Sequence, residues 1–145
     1  MQKSDHALWE EVFNVNLFST ALLARGLFAE LRAARGAVVN VTSIAGSRVH
    51  PFARVTYAAS KAALAALTRE MAHDFGPHGV RVNAIAPGEI DAAILSPGTE
   101  ALAEHAIPLR RLRRPEEVAD TIHFLCTQAS YVNGAGVHIN GGQHV

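Results

Sequence analysis

The sequence contains very little cysteine and no excess of either charge. Cys126 is the single cysteine in 145 residues, which excludes an internal disulfide and suits a reducing compartment. Thirteen basic residues balance thirteen acidic ones, so no net charge would attract nucleic acid or an anionic membrane. No apolar run reaches the length of a membrane span, and the start lacks the basic-then-apolar layout of a secretory signal. We therefore expect a cytoplasmic protein without nucleic-acid or membrane partners.

Metal sites and hydrolase motifs are also lacking. The eight histidines show no close pairing of the kind that a zinc-binding helix displays, and one cysteine offers no second thiolate. The segment TSIAG around Ser43 is not a G-x-S-x-G elbow, which argues against a serine hydrolase. We expect Cys126 to be a small buried residue of an apolar helix. We expect the basic segment LRRLRR to be a solvated turn rather than an anion-binding patch.

The apolar pattern predicts one α/β domain over residues 1–145. Apolar residues make up 49% of the chain and charged residues 18%, as in ordinary globular domains. Helices and strands alternate in the predicted order: a helix from His6 to about Arg35, a strand in AVVNVTS, a helix from about Thr56 to Phe75, a strand in VRVNAIAP, a helix from Pro115 to about Cys126, and a short strand in GAGVHINGG. This alternation predicts a parallel sheet of three strands with flanking helices.

Two features of a complete dinucleotide-binding sheet do not occur in this sequence. No strand is predicted before the first helix, and no G-x-G-x-x-G turn joins a strand to a helix. The first two strands are apolar enough to be buried on both faces. We expect the first strand nevertheless to leave one edge of the sheet unpaired.

The segment TYAASKAAL places a phenol and an ammonium one helical turn apart. Tyr57 and Lys61 are separated by four residues, so a helix carries both on one face. A free tyrosine titrates near pH ~10 and is a poor acid–base catalyst at neutral pH. An adjacent ammonium favours the phenolate, which makes such a pair a plausible proton-transfer device. Taken alone, two partly exposed polar residues on an amphipathic helix remain the simpler interpretation.

Other polar residues fall near the same place in the predicted fold. Ser43 follows the first strand, and Pro87 and Gly88 end the second; the carboxyl ends of parallel strands are where open α/β sheets bind ligands. The hydroxyl of Ser43 could donate to a substrate carbonyl oxygen beside Tyr57. Asn16 is a polar residue in an apolar stretch of the first helix, and a buried amide needs partners. Each of these signals is weak by itself.

Together the motifs resemble one protein family across nearly the whole chain. They occur in the family's order: NVNL with Asn16, NVTSIAG with Ser43, YAASK with Tyr57 and Lys61, VRVNAIAPG with Pro87 and Gly88, RRPEEVAD, and HINGG. This pattern is similar to that of the short-chain dehydrogenase/reductases of the 3-oxoacyl-carrier-protein reductase type. The resemblance implies a partial Rossmann-like, doubly wound parallel sheet and an NAD- or NADP-dependent ketone/alcohol oxidoreductase.

The resemblance also implies a role for each matching catalytic residue. Tyr57 corresponds to the general acid that protonates the carbonyl oxygen, and to the general base in the reverse direction. Lys61 corresponds to the residue that tunes this tyrosine and holds the nicotinamide ribose. Ser43 corresponds to the residue that orients the substrate carbonyl. Asn16 corresponds to the asparagine that supports a water-linked proton path to the lysine.

A second group of matching residues concerns the cofactor and the substrate. Pro87, Gly88 and Ile90 match the segment that lines the nicotinamide, with the backbone of Ile90 near its carboxamide. The excursion after Gly88 is similar to the family's mobile substrate-binding lid. Ala92 stands where the family commonly has a threonine, and the loop from Ser43 to Tyr57 holds one more residue than is usual.

The resemblance leaves the activity of this chain open. The family's first half supplies the glycine-rich phosphate loop, and this sequence does not contain it, so much of the expected cofactor affinity should be lost. One expectation is therefore a truncated oxidoreductase acting on a small carbonyl or alcohol substrate. The alternative is a non-catalytic interaction protein, or a remnant, that forms a homo-oligomer or binds a full-length relative through the helices containing Asn16 and Tyr57.

Overall fold

The computed structural model describes residues 4–51, 53–89 and 105–143. Within these ranges the helices are α1 (His6–Phe13), α2 (Ser19–Gly26), α3 (Phe28–Ala34), α4 (Val55–Phe75) and α5 (Pro115–Thr127). The strands are β1 (Ala37–Val41), β2 (Arg81–Pro87) and β3 (Gly136–Ile139). The predicted α/β order is confirmed, with short 3₁₀ turns at Ile44–Gly46 and Gly76–His78.

The predicted long first helix is interrupted twice. Asp5 caps its start, because its carboxylate accepts a hydrogen bond of 3.0 Å from the backbone N–H of Leu8. A π-helical turn, Asn14–Phe18, separates α1 from α2, and such turns occur frequently at functional sites. A 60° bend then separates His6–Gly26 from α3. One continuous helix from His6 to Arg35 was therefore a wrong prediction.

The three strands form a parallel sheet in the order β1-β2-β3. Val39 is in register with Asn83, and Ile85 with Val137, so the carboxyl ends of all three strands reach the same edge of the sheet. Among the described residues β1 pairs only with β2. β1 is thus the edge strand that the sequence predicted. Val38 and Val39 pack against apolar clusters on opposite faces of the sheet, so both faces of β1 are covered as predicted, although Val41 at its end is 46% exposed.

Helices cover the sheet on opposite faces. One apolar cluster joins α4 to the sheet through Met71, Ala72 and Val82. The other joins α5 to the sheet through Ile85 and Leu125. Because successive residues of a strand point to opposite faces, Val82 and Ile85 of β2 contribute to different clusters. The sheet is therefore the middle layer, and its carboxyl edge is held from both sides.

Polar contacts hold both ends of α5. At its start, the Glu117 carboxylate accepts the backbone N–H of Arg114 at 2.8 Å and pairs with Arg111 at 2.6 Å. The hydrogen bond with Arg111, followed by the one with the Arg114 backbone, lowers the pKa of Glu117 to about 2. At its end, the guanidinium of Arg81 donates to the carbonyls of Leu125, Cys126 and Ala129. These contacts satisfy backbone groups that a helix end leaves unpaired.

The single cysteine does not have the burial that the sequence predicted. Cys126 lies on α5 but is exposed, so its predicted burial was wrong: it faces away from the cluster that contains Leu125.

In the described part of the chain no single helix is long and apolar enough to cross a membrane. The bent pair His6–Gly26 and Phe28–Ala34 passes the same test only when the two are taken together.

Candidate active site

The predicted site residues meet at the carboxyl edge of the sheet. Pro87 is the last residue of β2, and Gly88 follows it with its N–H bonded to the carbonyl of Ile139 at 3.1 Å. Ser43 follows β1 in extended backbone and begins a 3₁₀ turn, where its hydroxyl accepts the N–H of Ala45 at 3.2 Å. This arrangement follows from parallel strands ending together, as the sequence predicted.

An open cleft of about 490 Å³ brings Ser43, Tyr57 and Gly88 together. Tyr57 belongs to the first turn of α4 and is 38% exposed. Leu8 and Val12 of α1 also line the cleft and give it an apolar wall. A hydroxyl, a phenol and an apolar wall suit a small molecule with one carbonyl or hydroxyl group.

Lys61 lies near the ring of Tyr57, but its ammonium donates a hydrogen bond to a backbone carbonyl at the end of β1. Its Nζ lies 5.6 Å from the centroid of the Tyr57 ring and donates a 2.8 Å hydrogen bond to the carbonyl of Val41. Burial lowers the pKa of the Lys61 ammonium below its ordinary value of 10.5. The i,i+4 spacing thus places the ammonium over the phenol ring, while the end of β1 fixes its position.

Asn16 reaches the same helix through a residue that sequence reasoning missed. Its side-chain amide donates to the hydroxyl of Ser60 at 3.0 Å, and this hydroxyl donates to the carbonyl of Tyr57 at 2.8 Å. Ser60 is fully buried. The π-helical turn that contains Asn16 is therefore tied to α4 between Tyr57 and Lys61. A buried polar residue inside YAASK was the available signal.

A buried acid–base pair lines the cleft and was also missed. His50 Nε2 lies 2.8 Å from Glu89 Oε1, and their side chains are only 8% and 14% exposed. His50 comes from the loop between Ser43 and Tyr57, and Glu89 directly follows Gly88. Nothing in the local sequence links these two residues, because the contact depends on how the loop folds over the strand end.

Most of the segment LRRLRR is exposed, as predicted for a solvated turn, but Arg113 is an exception. Its side chain is buried, with the residue only 7% exposed, whereas Arg111 and Arg114 are exposed. Nε donates to the carbonyl of Glu89 at 3.2 Å and Nη2 to that of Gly88 at 2.9 Å. Burial lowers the pKa of Arg113 to about 10, against the opposing effect of the Glu89 carboxylate. Arg113 remains a cation at neutral pH and holds the backbone at the end of β2.

Three sequence predictions fall outside the described residues. They are the contact of Ile90 with the nicotinamide carboxamide, the alanine at position 92, and the lid after Gly88, which begins in the range 90–104. Of the predicted cofactor-binding residues, Tyr57, Pro87 and Gly88 lie at one edge with Lys61 beside them.

Comparison with known proteins gives the family. A family model described as enoyl-(acyl carrier protein) reductase matches residues 1–144. The chain belongs to the short-chain dehydrogenase/reductase family. The resemblance seen in the sequence motifs is thereby confirmed.

Individual relatives of this short-chain dehydrogenase/reductase chain are longer. Protein FixR of Bradyrhizobium diazoefficiens is 66% identical over 138 residues, which are 94% of this chain and 50% of that protein. The 3-oxoacyl-[acyl-carrier-protein] reductase of Aquifex aeolicus is 39% identical, over 92% of this chain and 56% of that protein. The chain thus spans about half the length of the curated relatives that it matches.

Solved structures confirm the Rossmann-like fold of the family. A 3-oxoacyl-[acyl-carrier protein] reductase from Brucella melitensis matches all of this chain and 56% of its own, at 35% identity and a TM-score of 0.93. A short-chain oxidoreductase from Brucella ovis, solved with a partially ordered NAD, matches 95% of this chain and 55% of its own, at 60% identity and a TM-score of 0.77.

Proposed function

We propose that this chain carries the acid–base half of a ketone/alcohol oxidoreductase that uses NAD or NADP. The single observation that supports it best is the cleft that joins Ser43, Tyr57 and Gly88, with Lys61 beside the phenol. In the reductive direction Tyr57 donates its hydroxyl proton to the carbonyl oxygen as the carbonyl carbon is reduced. In the oxidative direction the phenolate removes the proton from the alcohol oxygen.

Each neighbouring group has a part in this proton transfer. The positive charge of Lys61 stabilises the phenolate that Tyr57 becomes after donation. The hydroxyl of Ser43 donates to the substrate oxygen and orients it toward the phenol. Asn16 positions the start of α4 through Ser60, whose hydroxyl bonds the carbonyl of Tyr57. None of these roles requires a residue outside the described ranges.

The residues fit one end of a nicotinamide cofactor. Lys61 and Tyr57 offer donors for ribose hydroxyls, and Pro87 with Gly88 forms the wall at the strand end. When bound, the cofactor supplies or accepts the hydride of the reaction. The sequence contains no glycine-rich strand-to-helix turn for the pyrophosphate, so we expect this chain by itself to bind the cofactor weakly.

A cofactor titration followed by an activity assay tests this proposal. Cofactor binding is measured by the fluorescence of NADPH and of NADH with the purified chain. The assay is then run with the Tyr57→Phe variant, which removes the phenol proton but keeps the ring. We expect carbonyl reduction to fall at least about 10²-fold, the scale of general acid catalysis, with an unchanged melting temperature. Equal turnover by the variant and the parent chain would refute the role of Tyr57.

A second candidate is a non-catalytic interaction protein. Exposed apolar residues in the π-helical turn that carries Asn16, in α2 and directly after α2 support it, since large apolar side chains in water favour association. They are Val15, Phe18, Leu22, Leu23 and Leu27. In this alternative the chain forms a homo-oligomer or binds a full-length relative, and absence of cofactor binding at millimolar concentration would favour it over the oxidoreductase.

A further inference from the structure

A second cavity adjoins the cleft and contains a buried cation with an unused hydrogen-bond donor. It has a volume of about 230 Å³, and Glu89 lines both spaces. Arg113 lines the second cavity with two of its nitrogens bonded to backbone carbonyls. Its Nη1 has no hydrogen-bond partner within residues 4–51, 53–89 and 105–143. A buried guanidinium nitrogen without an acceptor is unusual in a folded protein.

The two carboxylates that line this cavity make their shortest side-chain contacts with residues other than Arg113. Arg111 Nη2 lies 2.6 Å from Glu117 Oε1, and the Glu89 carboxylate pairs with His50 at 2.8 Å. Arg113 makes its two described hydrogen bonds to neutral carbonyls, and the attraction of Glu89 and Glu117, with which it forms no ion pair in the described part of the chain, only partly offsets the burial of its charge. Because a buried charge is stable only when it is paired, the cavity favours a ligand with one negative charge.

A carboxylate fits these requirements better than a phosphate does. It carries a single charge at neutral pH and forms strong charge-assisted hydrogen bonds with a guanidinium. A phosphate group carries roughly one and a half to two negative charges, so the carboxylates of Glu89 and Glu117 in the same cavity would repel it more strongly than a ligand with one charge. The volume of the cavity suits a small organic acid.

We propose that Arg113 binds a carboxylate group through Nη1. Since Glu89 is a shared wall, we further infer that the carboxylate belongs to the substrate, whose class is then a small keto acid or hydroxy acid with its reacting carbon in the cleft of Tyr57. This second step rests on the proposed function, whereas the carboxylate site itself does not. Arg113 is in this view a specificity-determining residue.

Titration of the isotopically labelled full chain with acetate, followed by amide NMR, tests the site without any cofactor. We expect saturable shifts of the amides of Gly88, Glu89 and Gly141, with a Kd in the millimolar range. Acetamide, which has the same shape without the charge, and sodium chloride at equal ionic strength should give no saturable shifts. Absence of saturation by acetate, or equal binding of acetamide, overturns the proposal.

Two variants assign the binding to Arg113. Arg113→Gln should raise the Kd for acetate about tenfold or more, because one charge-assisted contact is lost. Arg114→Gln, which removes the same charge from an exposed neighbour, should leave the Kd within about twofold. Equal effects of the two variants contradict the assignment. Arg113→Lys retains the charge and should restore part of the binding; the acetate and acetamide comparison stands even if neither Arg113 variant folds.

Titration with a keto acid tests whether the carboxylate at Arg113 belongs to the substrate or to a separate ligand. With 4-oxopentanoate we expect saturable shifts around Arg113 together with shifts of the Ser43 and Tyr57 amides. Shifts confined to the Arg113 cavity would support the carboxylate site and overturn its assignment to the substrate. If the Tyr57→Phe assay instead refutes the role of Tyr57, the proposed function fails while the acetate result is unaffected.

Discussion

At the scale of single residues, the candidate site depends on close backbone approach as much as on the reacting groups. Gly46 lies in the 3₁₀ turn after Ser43 and packs against α4 beside Lys61. A Cβ at this position would lie 2.8 Å from the backbone nitrogen of Ala62 and 2.9 Å from the carbonyl carbon of Lys61. The absence of a side chain therefore sets the distance between the Ser43 turn and the helix of Tyr57.

Gly46→Ala should destabilise the chain by about 1–3 kcal/mol, because neither the turn nor the helix backbone can yield without loss of packing. Urea denaturation followed by circular dichroism measures the change. Gly26→Ala is the matched control: no atom lies within 4 Å of its added Cβ, and alanine is the better helix residue. We expect the control to be neutral or slightly stabilising. Equal stability of the two variants would contradict the close approach at Gly46.

At the scale of secondary-structure elements, α5 illustrates how charge supports the site. The segment that leads into this helix carries Arg113, so the position of Arg113 depends on how the helix begins. Glu117 sets that beginning by accepting the Arg114 N–H and pairing with Arg111. Its carboxylate form is favoured by both contacts, which lower its pKa to about 2 from an ordinary value of 4.5.

This shift predicts a pH-dependent contribution to stability. A carboxyl group with a lowered pKa in the folded state stabilises that state above its ordinary pKa, and the contribution is lost as the pH falls. For Glu117 the loss should occur between pH 4.5 and about 2. Glu117→Gln should therefore lower the urea midpoint at pH 6, and its difference from the parent chain should disappear near pH 2.

Glu116→Gln serves as the control for this experiment. Glu116 lies in the same first turn of α5 but makes no ion pair in the described part of the chain, so it reports the general helix-dipole effect alone. We expect a smaller effect on the midpoint at pH 6. A constant difference between Glu117→Gln and the parent chain from pH 6 to pH 2 would show that the cap does not depend on the charge.

At the scale of the whole molecule, the described part leaves a sheet edge and several apolar side chains open to solvent. The β1 edge is unpaired within it, and the π-helical turn and α2 expose large apolar side chains. Val15 is 66% exposed and Leu22 65%. The matched relatives are about twice as long, and an isolated three-stranded sheet has less apolar area to bury than a complete one.

The double variant Val15→Lys, Leu22→Lys tests association through this helix. If the apolar face is an interface, the parent chain should elute in size exclusion as a dimer or larger, and the variant should shift to the monomer position because two buried ammonium groups would be unpaired. Val49→Lys is the control, since Val49 is 94% exposed and belongs to the loop between Ser43 and Tyr57 rather than to α2 or the π-helical turn. A parent chain that is monomeric at all accessible concentrations would contradict self-association.

The α/β architecture, the parallel sheet and the family were predictable from local patterns. Strand and helix periods are local, and parallel strands must end at one edge, so Ser43 and Pro87 were expected there. The interruption of the first helix was not predictable, because the residues of the π-helical turn are ordinary helix residues in sequence. The predicted burial of Cys126 and the predicted solvation of Arg113 were likewise wrong, since the exposure of a side chain depends on what packs over its element.

The sequence by itself determined that Tyr57 and Lys61 share one helix face, because a spacing of four residues and the helical repeat leave no alternative. Only the tertiary structure decided which backbone groups the basic side chains of the site bind. Lys61 bonds the carbonyl of Val41, twenty residues away, and Arg113 bonds those of Gly88 and Glu89. Such contacts join segments that are distant in the chain, and their geometry is set by the packing of helices on the sheet rather than by any local spacing.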